Sequence, residues 1–288
     1  MSNTPKNLQP QLVSFAADLL RAVAEARRAG QSIGLVPTMG ALHEGHLSLV
    51  DASRHACGFT VVSIFVNPTQ FGPGEDFSRY PRTLEADLKL LTGHGVALVY
   101  APSNDSIYRE RHATYVEMGG AAVPLEGQFR PGHFRGVATI VLKLFNLVQP
   151  DHAFFGRKDY QQSLVVRRMV EDLDLPIHVE ICPTVREPDG LALSSRNRFL
   201  SPDERRRALA ISQSLRSARQ SIEQGTTDGA AITAQMQLLL HAQDLKIDYA
   251  LLADPETLEP IATVSGPVVA IVAARVGPTR LIDNELIG

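Results

Sequence analysis

The sequence predicts an α/β protein: a mostly parallel sheet flanked by helices, followed by a smaller C-terminal α+β domain. Three observations carry that reading. Over about the first 180 residues, short apolar runs alternate with amphipathic stretches, as successive βαβ units require. After Cys182 the pattern changes to two helical stretches followed by strands. The length, 288 residues, suits two domains of roughly 150 residues.

Ser14–Ala29 places apolar residues at helical spacing, and Gly30 is suited to end that helix. Ser32–Pro37 reads as a buried strand, His46–Cys57 as a helix and Thr60–Val66 as a second buried strand. Thr83–Gly93 reads as helix, Val96–Tyr100 as strand, Gly136–Val148 as an apolar helix and Ala153–Phe155 as a short strand. Gln161–Leu173 is helical and Ile177–Ile181 a strand. Parallel strands covered on both faces read as such continuous apolar runs. Ligands of these sheets bind at the carboxyl ends of the strands, so the polar segments after them are where chemistry is sought. Pro183–Asn197 reads as a polar loop. Ser201-Pro202-Asp203-Glu204 carries an N-cap serine, a first-turn proline and a capping glutamate, and opens a helix to about Gln224. A second helix over Ala230–Gln243 and strands over Lys246–Ala253, Val268–Ala274 and Thr279–Asp283 complete the smaller block. The boundary is placed near residue 184, giving domains 1–184 and 185–288.

Hydrophobic residues are 44% and charged residues 20% of the chain, a balance that excludes disordered, collagen-like and coiled-coil chains. A chain of this length buries roughly three quarters of its unfolded surface and folds without disulfides or structural metal. The net charge of −3 supplies no overall basic field, so neither nucleic acid nor a membrane is an expected partner. Cys57 and Cys182 have no cysteine neighbour, which speaks against zinc ribbons and CxxC redox sites and suits a reducing compartment. The N-terminal MSNTPKNLQPQLV lacks the apolar core of a signal peptide. The longest apolar run, Val268–Ala274, is far below the ~18 residues that cross a bilayer. A soluble cytoplasmic protein is the expectation.

Five segments could carry chemistry. Pro37–His46 (PTMGALHEGH) leaves a strand and enters a helix; a helix N-terminus offers N–H groups and partial positive charge, suited to phosphate. His43 and His46, three apart, share one side of a first turn, and Gly45 between them has no side chain to obstruct a flat ligand. Two imidazoles there can stabilise charge developing on a polyphosphate. An HxxH alone is equally well a chance or core pair, and zinc is the weaker reading because no third ligand is near. In Phe65–Gly74, Asn67 and Gln70 supply donors and acceptors for a hydroxyl- or carboxylate-bearing substrate, or form an ordinary polar loop. In Gln128–Gly136, Arg130 and His133 could bind anions or sit in a solvated loop. In Phe155–Gln162, Lys158 is a point charge for a phosphoryl oxygen, Asp159 could cap the helix and Gln162 falls on its first turn. In Val185–Asn197, Ser194, Ser195 and Arg196 offer hydroxyls and a forked cation to phosphate, a weak signal alone. There is no GxxxxGK, and no GxGxxG follows the first strand.

Together these segments resemble the pantothenate synthetase (pantoate–β-alanine ligase) family of the nucleotidylyltransferase superfamily, with its HxGH motif. The resemblance covers nearly the whole chain and rests on PTMGALHEGH, FVNPTQF with the following DFSRYPRT, RPGHFRGV, FGRKDYQQ and REPDGLALSSRN, in the family's order and spacing. It implies a Rossmann-like ATP- and pantoate-binding domain over 1–184 and a smaller lid domain over 185–288. It implies that pantoate attacks the α-phosphorus of ATP, and that β-alanine then displaces AMP from pantoyl adenylate. It places ATP against Met39, Gly40, Ala41, Leu42, His43, Glu44, Gly45 and His46, against Gly156, Arg157, Lys158 and Asp159, and against Val185, Leu193, Ser194, Ser195 and Arg196. His46 matches the family's proton donor, with His43 and Lys158 at the phosphates. Gln70 and Gln162 match pantoate contacts, with Asn67, Tyr80, Arg130 and His133 as secondary substrate-binding residues and Asp87 as a magnesium contact. A homodimer is also implied. The chain departs from the common family form in having Arg157 for glutamate and Leu193 for methionine. The competing readings are another adenylate-forming enzyme of the superfamily, or a nucleotide-binding module without catalysis. An aminoacyl-tRNA synthetase is disfavoured by the short second domain and the lack of basic charge.

Overall fold

The computed structural model describes residues 9–288. The expectation drawn from the polar N-terminus rests largely on residues 1–8, which lie outside the described residues. In chain order the elements are β1 (Gln11–Val13), α1 (Ala16–Arg28), β2 (Ile33–Thr38), α2 (Glu44–Ala56), β3 (Phe59–Ile64), α3 (Leu84–Leu91), β4 (Leu98–Tyr100), α4 (Asn104–Ile107) and α5 (Glu126–Phe129). There follow α6 (His133–Val148), β5 (His152–Gly156), α7 (Tyr160–Asp172), β6 (His178–Cys182), α8 (Pro202–Glu223), α9 (Gly229–His241), β7 (Lys246–Ala253), β8 (Val268–Val276) and β9 (Thr279–Ile287). The chain forms two compact units. One holds the described residues up to Gly119 with Arg130–Gly156 and Gln162–Pro183; the other holds Gly120–Phe129, Arg157–Gln161 and Thr184–Gly288.

The first unit is a parallel sheet in the order β1-β4-β3-β2-β5-β6. Chain direction across the sheet reverses at β2, whose neighbours are β3 and β5. β2 pairs with β3 over six residues but with β5 only at Gly34 and Leu35. Beyond Leu35 the strands part, and the carboxyl ends open at the switch point where such sheets take ligands. Helix α6 buries most of its length, including Phe134, Val137, Val141, Leu144 and Phe145. Helix α2 packs Leu47, Leu49 and Val50 into a cluster with Val36, Val62, Leu91 and Phe154. It comes so close to β2 that a Cβ on Gly34 would lie 2.2 Å from Ser53 Oγ and 3.1 Å from Cys57 Sγ.

The second unit lays α8 and α9 on the antiparallel sheet β7-β8-β9. Its core joins Ala208, Ile211 and Leu215 of α8 and Met236 and Leu240 of α9 to Val268, Ala270, Val272 and Ala274 of β8. The capping box that opens α8 is present in full, with Ser201 Oγ accepting from Glu204 N and the Glu204 carboxylate accepting from Ser201 N.

Several boundaries differ from the sequence expectation for local reasons. Helix α1 starts at Ala16 without a side-chain cap, and Gly30, at φ +76°, lies just past its end. Helix α2 starts at Glu44, two residues before the expected His46, because His43 caps it. Helix α6 starts at His133 rather than Gly136, its first turn being hidden by polar residues. β9 runs on to Ile287 because its pairing with β8 continues to Val268. The three-residue β1 is too short to show a period. Among the described residues no helix is long and apolar enough to cross a membrane, and both cysteines are free thiols.

Gly34→Ala is expected to destabilise the protein by about 1–3 kcal/mol, the range for overpacking a filled core, read as a lowered urea midpoint. Ser53 is fully buried and hydrogen-bonded to Thr60, so it has little room to yield.

Candidate functional site

The turn leaving β2 is held by side chains that bind its backbone. Thr38 Oγ1 donates to Ser63 O (2.7 Å) and accepts from Gly40 N (3.2 Å). Gly40 and Ala41 then follow one another at φ +80° and +51°. For alanine this left-handed backbone costs of order 1 kcal/mol or more. The cost is offset from α3: Asp87, buried, accepts from Ala41 N (3.0 Å) and Leu42 N (2.9 Å), and also from Thr83 Oγ1 (3.2 Å). A Cβ on Gly40 would lie 3.1 Å from Asp87 Oδ2.

That turn delivers His43 to the start of α2, where the two histidines cap the helix reciprocally. His43 Nδ1 accepts from Gly45 N (3.2 Å) and His46 Nδ1 accepts from His43 N (3.3 Å). Their ring centroids are 4.1 Å apart. The rings are neighbours as the spacing predicts, but His43 is the cap rather than a member of the first turn. An imidazole whose Nδ1 accepts carries its proton on Nε2 when neutral, so both rings are N–H donors through Nε2.

A second cluster surrounds Gln70 on the turn Pro68–Gln70. Asn67 Nδ2 donates to Gln70 Oε1 and to Gly136 O, both at 3.1 Å, while Asn67 Oδ1 accepts from Thr69 Oγ1 (2.9 Å) and Tyr108 Oη (2.7 Å). Gln70 Nε2 lies 3.0 Å from Met39 Sδ. The Gln70 carbonyl accepts from His133 Nδ1 (2.9 Å) and Arg130 Nη2 (3.3 Å). Arg130 also forks onto Glu75, at 2.7 and 2.8 Å. Burial raises the Glu75 carboxyl, and the Arg130 bonds outweigh it and hold it below the usual carboxylate range. Gly136 makes the cluster possible, since a Cβ there would meet Thr69 O at 2.4 Å and Gln70 N at 2.7 Å. Tyr80 is buried against Phe71, and Gln162 is half-buried on the first turn of α7.

Lys158 and the serine segment belong to the second unit. Arg157–Asp159 is a single 3₁₀ turn, with Lys158 Nζ 3.5 Å from Asp159 Oδ1. Gln161, beside Gln162, is structural: it donates to Ala121 O and Pro124 O, both at 2.7 Å, and accepts from Glu126 N. The expected polar loop Pro183–Asn197 is partly ordered as a narrow hairpin. Arg186 bridges Ala192, Leu193 N donates to Val185 O, and Gly190 at φ +95° makes the tip. Ser194 caps the following turn, Ser195–Phe199, by accepting from Arg196 N. Sequence reasoning missed Tyr108, Glu75, Gly136 as a packing position, and Asn284, all of which act on backbone or on other side chains.

Asp87 fits a metal role only narrowly. Three of its roughly four acceptor sites are taken by protein donors, and magnesium demands near-octahedral oxygen ligands, mostly water and phosphate. Among the described residues no group of three or more His, Cys, Asp or Glu side chains could hold a metal ion. Asp87 therefore has room for at most one further contact.

A parallel α/β sheet with a histidine-capped helix after the strand at its switch point belongs to the Rossmann-like class, whose ligands bind at the carboxyl ends of the strands. Residues 11–286 match the family model described as pantoate-beta-alanine ligase. The pantothenate synthetase 1 of Bradyrhizobium diazoefficiens is 53% identical over 96% of this chain and 98% of its own. That of Moorella thermoacetica is 51% identical over the same shares. The crystal structure of the Thermus thermophilus pantothenate synthetase superposes with a TM-score of 0.91 at 48% identity, covering 96% of this chain and 98% of that one. The Francisella tularensis pantoate-beta-alanine ligase, solved in complex with beta-gamma ATP and beta-alanine, has a TM-score of 0.80 at 32% identity, over 96% and 97%. The chain belongs to the pantoate-beta-alanine ligase family. Its reaction is the joining of pantoate to β-alanine, giving pantothenate.

Gly136→Ala is expected to displace the Pro68–Gln70 turn and lower ligase turnover by roughly 10²-fold, the scale of a 1 Å misplacement. Pantothenate formation and a crystal structure of the variant check it; wild-type turnover with a displaced turn contradicts it.

Proposed function

We propose that the ligation runs through pantoyl adenylate, with this chain's residues supplying position and charge. A carboxylate is a poor acyl electrophile, so it must first acquire a good leaving group. In the first step a pantoate carboxylate oxygen attacks the α-phosphorus of ATP, the bond to the bridging oxygen breaks, and pyrophosphate leaves. In the second step the β-alanine amine attacks the acyl carbon, AMP leaves with the bonding pair, and the amine loses a proton. Positioning and charge stabilisation are the main tasks left to the protein.

ATP is assigned to Met39, Gly40, Ala41, Leu42, His43, Glu44, Gly45 and His46, to Gly156, Arg157, Lys158 and Asp159, and to Val185, Leu193, Ser194, Ser195 and Arg196. The reciprocal cap of His43 and His46 carries this assignment, because it fixes two Nε2–H donors at a helix start, where negative charge is favoured. His46 acts as the proton donor, with His43 and Lys158 at the phosphates. Gln70 and Gln162 read pantoate, and Gln70 also borders the β-alanine position. Tyr80 completes that side, and Asn67, Arg130 and His133 serve it by holding Gln70. Asp87 would be a protein contact for Mg²⁺ brought in with ATP, an ion that would neutralise phosphate charge. The enzyme works as a cytoplasmic homodimer.

Mixing the protein with ATP, Mg²⁺ and pantoate should release pyrophosphate up to one equivalent, with AMP appearing in quantity only when β-alanine is added. AMP release without the amine, or none with it, contradicts the scheme. His46→Ala is expected to lower turnover by about 10²–10³-fold, the loss of one donor aimed at developing charge, while ATP binding by calorimetry stays close to wild type. Gln70→Ala should raise KM for pantoate and β-alanine with ATP affinity nearly intact; a loss confined to ATP binding refutes its assignment.

A further inference from the structure

Strand β9 holds two consecutive buried polar residues, Asp283 and Asn284, with 2% and 3% exposure. Successive residues of a strand face opposite sides, so such a pair can grip two separate segments. The Asn284 side-chain nitrogen donates to the carbonyls of Arg157 and Lys158, both at 2.9 Å. Two carbonyl acceptors fix that amide's orientation, since its oxygen in the same place would be repelled. The Asp283 carboxylate accepts from both terminal nitrogens of Arg186, at 2.6 and 3.1 Å, and from Asn284 N at 2.8 Å. Arg186 also donates to Gly190 O (3.1 Å), bracing the hairpin that leads into Ser194–Arg196. Asn284 Oδ1 is buried with no protein partner, a cost that an apolar residue on the strand would avoid.

We propose that Asn284 is a positioning residue for the nucleotide chemistry: with Asp283 it ties the Lys158 turn and the Arg186–Ala192 hairpin to one strand, and so sets where Lys158 presents its ammonium. This rests on the assignment of Lys158 to the ATP phosphates. Asn284 touches no reactant; it acts through the backbone of the turn. Two successive carbonyls of that turn share this one amide, so removing it releases the backbone where the lysine is carried.

The test uses Asn284→Ala and the near-isosteric Asn284→Leu in the full-length protein, with pyrophosphate release as the assay and thermal melts to establish folding. The expected result is a kcat/KM for ATP lowered by about tenfold or more, with the KM for pantoate nearly unchanged. On a Lys158→Ala background the same Asn284→Ala substitution should add little, because residues acting as a unit are not additive. Multiplicative losses, or a lower melting temperature with wild-type ATP kinetics in the folded protein, overturn the proposal. If Lys158→Ala alone leaves ATP kinetics unchanged, it is the phosphate assignment of Lys158 that fails. Should neither variant fold, Asn284→Ser, which is small and still polar, is measured in the same way with the same outcomes deciding.

Discussion

The turn leaving β2 depends on one buried carboxylate. Asp87 holds two successive backbone N–H groups, those of Ala41 and Leu42, in a stretch where Gly40 and Ala41 are both left-handed. Without that acceptor the two N–H groups would be buried and unsatisfied, and the alanine's backbone would have little reason to stay where it is. The turn that Asp87 enforces sets the entry to α2, and the entry sets the histidine cap. An interaction between one helix and one loop is thus translated into the tautomer of two imidazoles.

The same device recurs around Gln70. Gln70 is held by its own carbonyl, which receives His133 and Arg130, and by its side chain, which receives Asn67. Asn67, Arg130 and His133, which look like ligands in the sequence, here also bond to protein: to Gln70, to Gly136 O and to the Glu75 carboxylate. This bracing suits a reaction in which misplacement by an ångström is expensive and no covalent group from the protein is required. Gly136 shows how the packing permits it: the helix carrying RPGHFRG touches the turn backbone directly, with no side chain between.

Much of this was legible in the sequence. The order of strands and helices was readable because parallel strands are continuous apolar runs, and the start of α8 because Ser201, Pro202 and Glu204 form a local signal. The PTMGALHEGH segment announced a strand-to-helix turn, but not that His43 would cap the helix, since a histidine at that position gives no capping signal. The grips on Gln70 and on the Lys158 turn were invisible for a different reason. Asn67 meets Gly136 across 69 residues and Asn284 meets Lys158 across 126, and a single sequence carries no record of pairings at that separation. Asp87 entered as the magnesium contact that the resemblance implies, not as the acceptor of two backbone N–H groups, because sequence does not distinguish backbone atoms.

The second unit applies the principle at higher electrostatic stakes. Arg280 is shared between Glu126, through two of its nitrogens, and Asp248 at 2.7 Å, while Tyr249 Oη donates to Glu126 at 2.8 Å. Burial, and then the charge of Glu126, drive the Tyr249 hydroxyl well above its ordinary pKa, so it stays a donor. Such buried charges seldom add net stability over apolar residues of equal volume. What they add is register, because an ion with several partners has few alternative positions that leave none unpaired. Here the carboxylate being fixed belongs to α5, whose Glu126 N–H donates to Gln161 next to the Arg157–Asp159 turn. Such a network can therefore fix the backbone from which Lys158 extends, by the same logic with which Asp87 fixes the backbone from which the histidines extend.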